Sequence, residues 1–200
     1  MIIKASHKVA IAGTIKDEFT EQPIADTIVN IVGQNFNIWA TENGSFYLIG
    51  EPKSPIKLPT SLAKIENGFF NFMDLPDGEY KLKVSAPNFK LRYEQDKEID
   101  VTAPNLQISV ELSPTQLTGN VRRSDNQEPI SQALVKLGGS EYQTFTDIEG
   151  KYTLSDIVAS SPTIQVSHKS FELSTRKLEQ QLNPGEKRTE DFSLKPLNSI

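Results

Sequence analysis

The sequence predicts an all-β protein made of two tandem, seven-stranded antiparallel β-sandwiches, the first of which carries an inserted arm or hairpin. The composition is typical of small β domains without disulfides: 36% of the 200 residues are hydrophobic, 12 are proline, 11 are glycine and none is cysteine. Short runs of alternating apolar and polar residues are separated by turn residues, and no helical period extends over a useful length. An internal repeat divides these runs into two sets.

The repeat consists of matching residues at two constant separations. Matches 106 residues apart are Gly13 with Gly119, Pro23 with Pro129, Trp39 with Phe145, and Gly44 with Gly150. Matches 82 residues apart are Asp74 with Asp156, Val84 with Val166, Phe89 with Phe171, and Leu112 with Leu194. The difference between the two separations means that the first copy has 24 extra residues, which this alignment places between Leu48 and Asp74.

We therefore predict two β-sandwich domains, residues 1–114 and 115–200. Each is long enough to bury a core of its own. The first domain contains the insertion, at about 49–67. Because the second copy has no counterpart of this segment, we expect the insertion to be dispensable for the core and free to contact a partner.

The strands of the first copy follow from alternation and from the turns between them. Pro23 introduces the second strand, where a proline costs no ladder hydrogen bond. The dipeptide Asn43-Gly44 is typical of a tight turn between two strands. Segment 79–86 alternates apolar and polar residues throughout, which predicts one buried face. The strands predicted in this copy are 8–16, 27–33, 36–41, 45–49, 68–73, 79–86, 96–102 and 106–112.

The second copy repeats this order. Its predicted strands are 116–123, 133–138, 141–146, 151–155, 163–168 and 187–194. The best helical candidates in the chain are Ser61–Glu66 and Leu173–Leu182, which are short or weakly amphipathic.

Three segments resemble the carboxypeptidase regulatory-like domain, a family of transthyretin-like, Ig-like sandwiches. They are Pro-Ile-Ser-Gln-Ala-Leu-Val at 129–135, Thr-Asp-Ile-Glu-Gly-Lys-Tyr-Thr-Leu-Ser-Asp-Ile at 146–157, and Asp-Leu-Pro-Asp-Gly-Glu-Tyr-Lys-Leu-Lys-Val-Ser at 74–85. The resemblance implies this fold for both copies and a non-catalytic accessory role in folding, spacing or protein contacts. The second copy departs from the pattern at 158–162, where the usual Gly and Tyr are absent, so we expect a rebuilt turn there.

Enzymes similar to this family need residues that the chain lacks. Hydroxyisourate hydrolases use a histidine pair, an arginine and a Tyr-Arg-Gly-Ser tail, whereas only His7 and His168 occur here and the sequence ends in Pro-Leu-Asn-Ser-Ile. His168 is followed by Lys-Ser-Phe, which is not the His-x-x-Glu of a zinc carboxypeptidase. Isopeptide-forming pilin domains use an acidic residue on the strand that corresponds to 81–86, and this segment has no carboxylate. We predict no catalytic residue and no cofactor.

Two acidic clusters are candidate calcium sites. Asp74, Asp77 and Glu79 form one cluster, and Asp147 and Glu149 form the other. Neither has the alternating oxygen ligands and the terminal bidentate Glu of an EF-hand loop. We interpret both as turns and predict no metal site.

The insertion is the predicted partner-binding segment. Its candidate contacts are Lys53, Lys57, Leu58, Leu62 and Lys64, and this local group of lysines in an acidic protein favours an acidic partner surface. A decorative loop with no partner is the alternative.

Trp39 is a second candidate, because an exposed indole could stack on a sugar ring. Core packing is the favoured interpretation, since Trp39 aligns with Phe145 and an aromatic residue in both copies indicates a shared structural position.

Charge and hydropathy restrict the partners further. The net charge is −5 and no basic patch is visible, which does not favour nucleic acid. No apolar run reaches membrane-spanning length, and the stretch 9–12 is too short for a signal peptide. We expect a cytoplasmic protein or part of a cytoplasmically assembled particle, or an extracellular protein if a signal was removed.

The predicted function is that of a non-catalytic structural or adaptor protein that binds other proteins in a multi-subunit complex. A phage tail-like or contractile injection particle is the kind of assembly it would suit. The alternative is a carbohydrate-binding or cell-surface adhesive module.

Overall fold

The structure is a computed structural model that describes residues 8–33, 36–40, 46–50, 56–57, 68–73 and 75–197; at 36–40, 46–50 and 56–57 it describes the backbone alone. The chain separates into two compact units, Met1–Ser113 and Pro114–Ile200.

The first unit is built from two sheets. Its described strands are β1 (Val9–Asp17), β2 (Thr27–Ile31), β3 (Phe36–Ala40), β4 (Phe46–Gly50), β5 (Ile56–Lys57), β6 (Phe69–Met73), β7 (Gly78–Ser85), β8 (Lys97–Ala103) and β9 (Asn105–Leu112). One sheet has the strand order β6-β1-β9. The other has the order β5-β4-β3-β2-β7-β8, and all its pairs are antiparallel.

The core of the first unit lies between these sheets. Ile11, Phe70 and Phe72 come from the smaller sheet, whereas Val29 and Leu82 come from the larger one, and each is at most 1% exposed. Phe70 and Phe72 alternate along β6 with half-buried residues, so the strand has one buried apolar face. Burying each of these side chains contributes about 2 kcal/mol, so the two faces hold the sheets together.

The second unit has the same two-layer arrangement. Its described strands are β10 (Gln116–Arg123), β11 (Leu134–Leu137), β12 (Gln143–Phe145), β13 (Lys151–Leu154), β14 (Thr163–Ser167), β15 (Ser174–Lys177), β16 (Lys187–Thr189) and β17 (Phe192–Leu194). The first sheet is β13-β10-β16, with β17 also paired to β10, and the second is β12-β11-β14-β15. Leu117, Val135, Ile164 and Leu194 are at most 1% exposed in the core between them. The predicted all-β sandwich fold is confirmed.

The prediction of purely antiparallel sheets is wrong for one pairing in the first unit and for two pairings in the second. β1 runs parallel to β9, and β10 runs parallel to β16 and β17. The last strand of each unit returns beside the first and points the same way, so this pairing cannot be antiparallel.

A strand, β15, occupies the start of Leu173–Leu182, one of the two helical candidates. It pairs antiparallel with β14 and forms one end of the described sheet. Leu178 and Leu182 are four residues apart and both buried. They reach the core through an irregular segment, in which the Leu182 N–H donates to the Ser160 carbonyl at 2.9 Å. This contact also anchors the unusual turn at 158–162.

Two glycines correct the internal alignment. The Ile15 N–H donates to the Gly68 carbonyl at 2.8 Å, and the Val121 N–H donates to the Gly150 carbonyl at 2.7 Å. Both glycines have positive φ, 72° and 76°, and a Cβ on either would lie 2.6 Å from a strand carbonyl oxygen. Gly68 is therefore the counterpart of Gly150, and the match of Gly44 with Gly150 is wrong.

The extra residues of the first unit consequently lie between β3 and β6. The predicted insertion, 49–67, begins too late, because β4 already belongs to the added segment. β4 pairs with β3, and β5 pairs with β4, so the described part of the insertion extends the larger sheet by two strands.

Thr146, in the resemblance motif, joins two parts of the second unit. Its hydroxyl donates to the Ile130 carbonyl at 2.6 Å and accepts from the Ala133 N–H at 2.9 Å, at 1% exposure. We expect Thr146→Val to lower the free energy of unfolding by about 2 kcal/mol, because an isosteric apolar side chain leaves both buried groups without this partner. Urea unfolding measures the loss. The exposed Thr175→Val is the control, and a loss below about 0.5 kcal/mol at Thr146 would contradict the assignment.

Candidate interaction surfaces

The predicted partner-binding residues lie mostly outside the described part of the chain. Lys53, Leu58, Leu62 and Lys64 are all outside it. Lys57 is in β5, with its backbone opposite Tyr47 of β4. The proposed use of this segment stays a prediction.

The Trp39 position has the same register in both units. Trp39 pairs with Ile28 on β2, and Phe145 pairs with Leu134 on β11. The Trp39 side chain lies outside the description. Phe145 is 57% exposed, so core packing is wrong for this position in the second unit.

Phe145 belongs to an apolar area on the outer face of the second unit. Along β11, Val135 and Leu137 are buried, so Leu134 faces outward together with its partner Phe145. Ile148, in the turn after β12, is 86% exposed, and Leu173, just before β15, is 65% exposed. Continuing the β14–β15 register by one residue sets Leu173 opposite Ser167, which is itself opposite Leu134. We call Leu134, Phe145 and Leu173 of this face, together with Ile148 of the turn that follows β12, the outer-face patch.

Sequence reasoning missed this patch. Phe145 was interpreted as a core residue, and Ile148 was treated only as part of a turn motif. The available signal was Ile148 itself, because an isoleucine between Asp and Glu in a tight turn has no neighbouring apolar residue to cover it.

The edge strand β12 is the outermost strand described on its side of the β12-β11-β14-β15 sheet of the second unit. The strand in the same position of the first unit is β3, which is covered by β4 and then β5. The two units therefore differ most at this edge.

The acidic cluster at Asp147 serves the turn between β12 and β13. One carboxylate oxygen of Asp147 accepts hydrogen bonds from the N–H groups of Glu149 and Lys151, both at 2.9 Å. This confirms the interpretation of Asp147 as a turn residue. Of the other cluster, Asp74 lies outside the described residues.

Tyr152 has the most perturbed environment among the described titratable groups. Its hydroxyl donates to the Glu190 carbonyl at 2.7 Å, and burial raises the pKa of this phenol above its usual value. A phenol that stays protonated and is bound to a main-chain carbonyl fastens β13 to the segment between β16 and β17.

A shallow cleft of 290 Å³ beside β15 is lined by two arginines that already have partners. Arg176 forms an ion pair with Glu190 at 3.0 Å and lies over the Phe192 ring. Arg188 donates to Glu186 and to two main-chain carbonyls at 2.7–3.0 Å. The Asn183 N–H and Arg188 hold the pKa of the Glu186 carboxyl below its usual range. These charges brace the loop before β16.

The described residues contain no group of three or more His, Asp or Glu side chains arranged to hold a metal ion. Among them there is also no helix of the length and apolarity needed to cross a membrane.

Comparison with known proteins gives one family and several distant structures. No curated protein matches the chain in sequence. The shaft pilin SpaA of Lactobacillus rhamnosus GG is 9% identical, with 96% of this chain and 98% of the pilin covered and a TM-score of 0.36. The Bacillus anthracis TIE protein is 12% identical over 94% of this chain, with a TM-score of 0.38. A type II cohesin–X-dockerin complex of Acetivibrio cellulolyticus is 14% identical over 39% of this chain, with a TM-score of 0.34.

The chain spans 34% of the TIE protein chain and 52% of the matched chain of the cohesin–X-dockerin complex. The family model of the carboxypeptidase regulatory-like domain matches residues 116–195, which confirms the resemblance for this part of the chain. Residues 116–195 are therefore similar to this family, and the match covers less than half of the chain.

Proposed function

We propose that the chain is a non-catalytic structural or adaptor protein that makes protein–protein contacts within a multi-subunit assembly. The observation that carries this proposal is the outer-face patch, where Phe145, Ile148 and Leu173 are 57%, 86% and 65% exposed. Large apolar side chains gathered on one exposed face are typical of a protein-binding surface, because covering them removes apolar area from water.

The polar groups of the two units support a non-catalytic role, since the well-positioned ones serve the fold. The Asp17 carboxylate accepts from the N–H groups of Phe19 and Thr20 and from the Tyr93 hydroxyl. Thr146 and Tyr152 bind main-chain groups, as described above. None of these side chains is oriented by a neighbouring base toward an open cleft, which is what a nucleophile or general acid needs.

The assembly we favour is a large particle such as a phage tail-like or contractile injection machine, in which this chain is an accessory component. The net charge of −5 keeps such a component soluble before it is incorporated. The accessory role implied by the domain family is compatible with this setting.

The test is a double substitution in the outer-face patch, Phe145→Ser with Ile148→Ser. Because both side chains are exposed, we expect unchanged folding and a loss of at least about 2 kcal/mol in partner binding, as for two contact residues at an interface centre. Cross-linking and affinity purification from the native host identify the partners of the wild type and show which of them the variant loses. Leu106→Ser, at another exposed apolar position in the first unit, is the matched control. If the double variant keeps every partner of the wild type, the proposal is wrong.

A carbohydrate-binding module is the second candidate, because Phe145 exposes its ring at the position matched by Trp39. Aromatic rings that lie free on a sheet surface can stack on sugar faces. Binding to a glycan array that disappears with Trp39→Ala or Phe145→Ala, while the protein stays folded, would favour this function over protein contacts.

A further inference from the structure

We propose that the open edge of β12 binds an extended segment of a partner protein as an additional antiparallel strand, with apolar residues at alternate positions. This inference rests on the proposed function and names the site and chemistry of the contact. It is carried by three observations: the direction of the main-chain groups on β12, the absence of charged residues from this edge strand, and the strand that pairs with the same edge in the first unit.

The hydrogen bonds to β11 determine which groups of β12 face outward. The Thr146 N–H donates to the Ala133 carbonyl, and the Leu137 N–H donates to the Tyr142 carbonyl, both at 2.9 Å. Antiparallel pairs alternate between bonded and non-bonded, so Thr144 also directs its N–H and C=O toward β11. Gln143 and Phe145 therefore direct theirs away from β11. Four main-chain groups are available along this edge to a strand that aligns beside it.

The edge strand carries neither a charged residue nor a proline that would discourage strand pairing. Proteins block exposed edges with lysine, proline, bulges or inward charges. β12 reads Gln143-Thr144-Phe145 and carries no charge. At the opposite end of the same sheet, β15 contains Arg176 and Lys177. Only one of the two edges of this sheet is therefore uncharged.

The first unit provides the pattern for the occupant. There β3 is the counterpart of β12, and β4 lies antiparallel beside it, with Tyr47 opposite Trp39 and Ile49 opposite Asn37. Transferred to the second unit, this register sets an aromatic residue opposite Phe145 and an aliphatic residue opposite Gln143. Both would lie on the outer face, where the aromatic side chain would extend the outer-face patch.

The partner segment is therefore an extended peptide with an aromatic residue and an aliphatic residue two positions apart, as in Phe-Tyr-Leu-Ile of β4. Main-chain pairing supplies the affinity, and the alternate side chains supply the selectivity.

The experiment titrates the full chain with a synthetic peptide that has the sequence of residues 43–51, Asn-Gly-Ser-Phe-Tyr-Leu-Ile-Gly-Glu. Gln143→Pro removes one outward N–H without removing a bond to β11, because proline is tolerated on an edge strand where its nitrogen faces solvent. Thr175→Pro is the matched control. The Leu178 N–H points toward β14, because it donates to the Pro162 carbonyl. Since the direction alternates along the strand, the Thr175 N–H points away from β14, at the other edge of the sheet.

We expect Gln143→Pro to weaken peptide binding by about tenfold and Thr175→Pro to leave it unchanged within about twofold. As a second measurement, saturating peptide should slow amide hydrogen exchange at Gln143 and Phe145 of the wild type, which does not depend on how a variant folds. Absence of peptide binding, equal binding by Gln143→Pro and wild type, or unchanged exchange at these two amides would overturn the inference. A loss of native partners in the Phe145→Ser, Ile148→Ser variant together with any of these results would leave the proposed function standing and remove only the strand-pairing site.

Discussion

Gly119→Ala is expected to destabilise the second unit by about 3 kcal/mol, the upper end of the range for overpacking a tight site. Gly119 lies on β10, beside the segment that connects β16 to β17. A Cβ on Gly119 would overlap the carbonyl oxygen of Glu190, which belongs to that segment. The same Cβ would lie 2.9 Å from the ring of Tyr152. Neither neighbour can withdraw easily, because the Glu190 N–H donates to the Thr118 carbonyl at 2.8 Å and the Glu190 carbonyl accepts from Tyr152.

Urea unfolding, followed through amide signals of β10 and β13, measures this effect in the second unit alone. Gly138→Ala is the control, because its Cβ would lie 3.3 Å from the Thr163 carbonyl oxygen at an exposed position, and we expect a loss below about 1 kcal/mol. Gly13→Ala should reproduce the large effect in the first unit, where the Cβ would meet the Ile108 carbonyl. A Gly119 variant as stable as Gly138→Ala would show that β16 and β17 can separate from β10 without cost.

Asp17→Ala is expected to destabilise the first unit by about 3 kcal/mol. The carboxylate is 3% exposed, and one oxygen accepts from the N–H groups of Phe19 at 2.8 Å and Thr20 at 2.7 Å. Its other oxygen accepts from the Tyr93 hydroxyl at 2.8 Å. Alanine leaves three donors without this acceptor. Hydrogen bonds to a charged group contribute about 1.5–3 kcal/mol each net of water, and water that enters the site offsets part of the loss.

The neighbouring Glu18→Ala is the control, because that side chain is exposed. Tyr93→Phe, made alone and together with Asp17→Ala, completes a double-mutant cycle. We expect a coupling energy of about 1 kcal/mol between the two side chains. Chemical unfolding of the four proteins checks both numbers. Additive losses would mean that the tyrosine contact contributes nothing to stability.

Most strands could be predicted because apolar and polar residues alternate along them. In β7, Leu82 and Val84 are buried while Lys81 is exposed, and that alternation is visible in the letters. Turn residues such as Asp147 were equally readable, since Asp accepts from the main chain two and four residues onward.

The position of the insertion could not be predicted, because two similar segments of the first copy both match the segment around Gly150 of the second copy. Segments 43–46 and 67–70 both read Asn-Gly followed by an aromatic residue within two positions. Only pairing distinguishes them: Phe69 and Phe70 pair with β1, whereas Phe46 pairs with β3. Long-range pairing of this kind has no local signal.

The candidate site was the least predictable part. Phe145 has the apolar character of a core residue, and only the sheet alternation around Leu134 turns it outward. A strand of three residues, such as β12, is too short for its own pattern to tell the inner face from the outer face.

The parallel pairing of first and last strands determines how each unit responds to tension. In the second unit Gln116 lies beside Lys187, and Arg123 lies beside Leu194. A pull on the two ends of this unit drags the neighbouring strands past one another along their length. The hydrogen bonds between these strands must then break together in shear rather than one at a time. The unit is therefore suited to transmitting mechanical load along the chain.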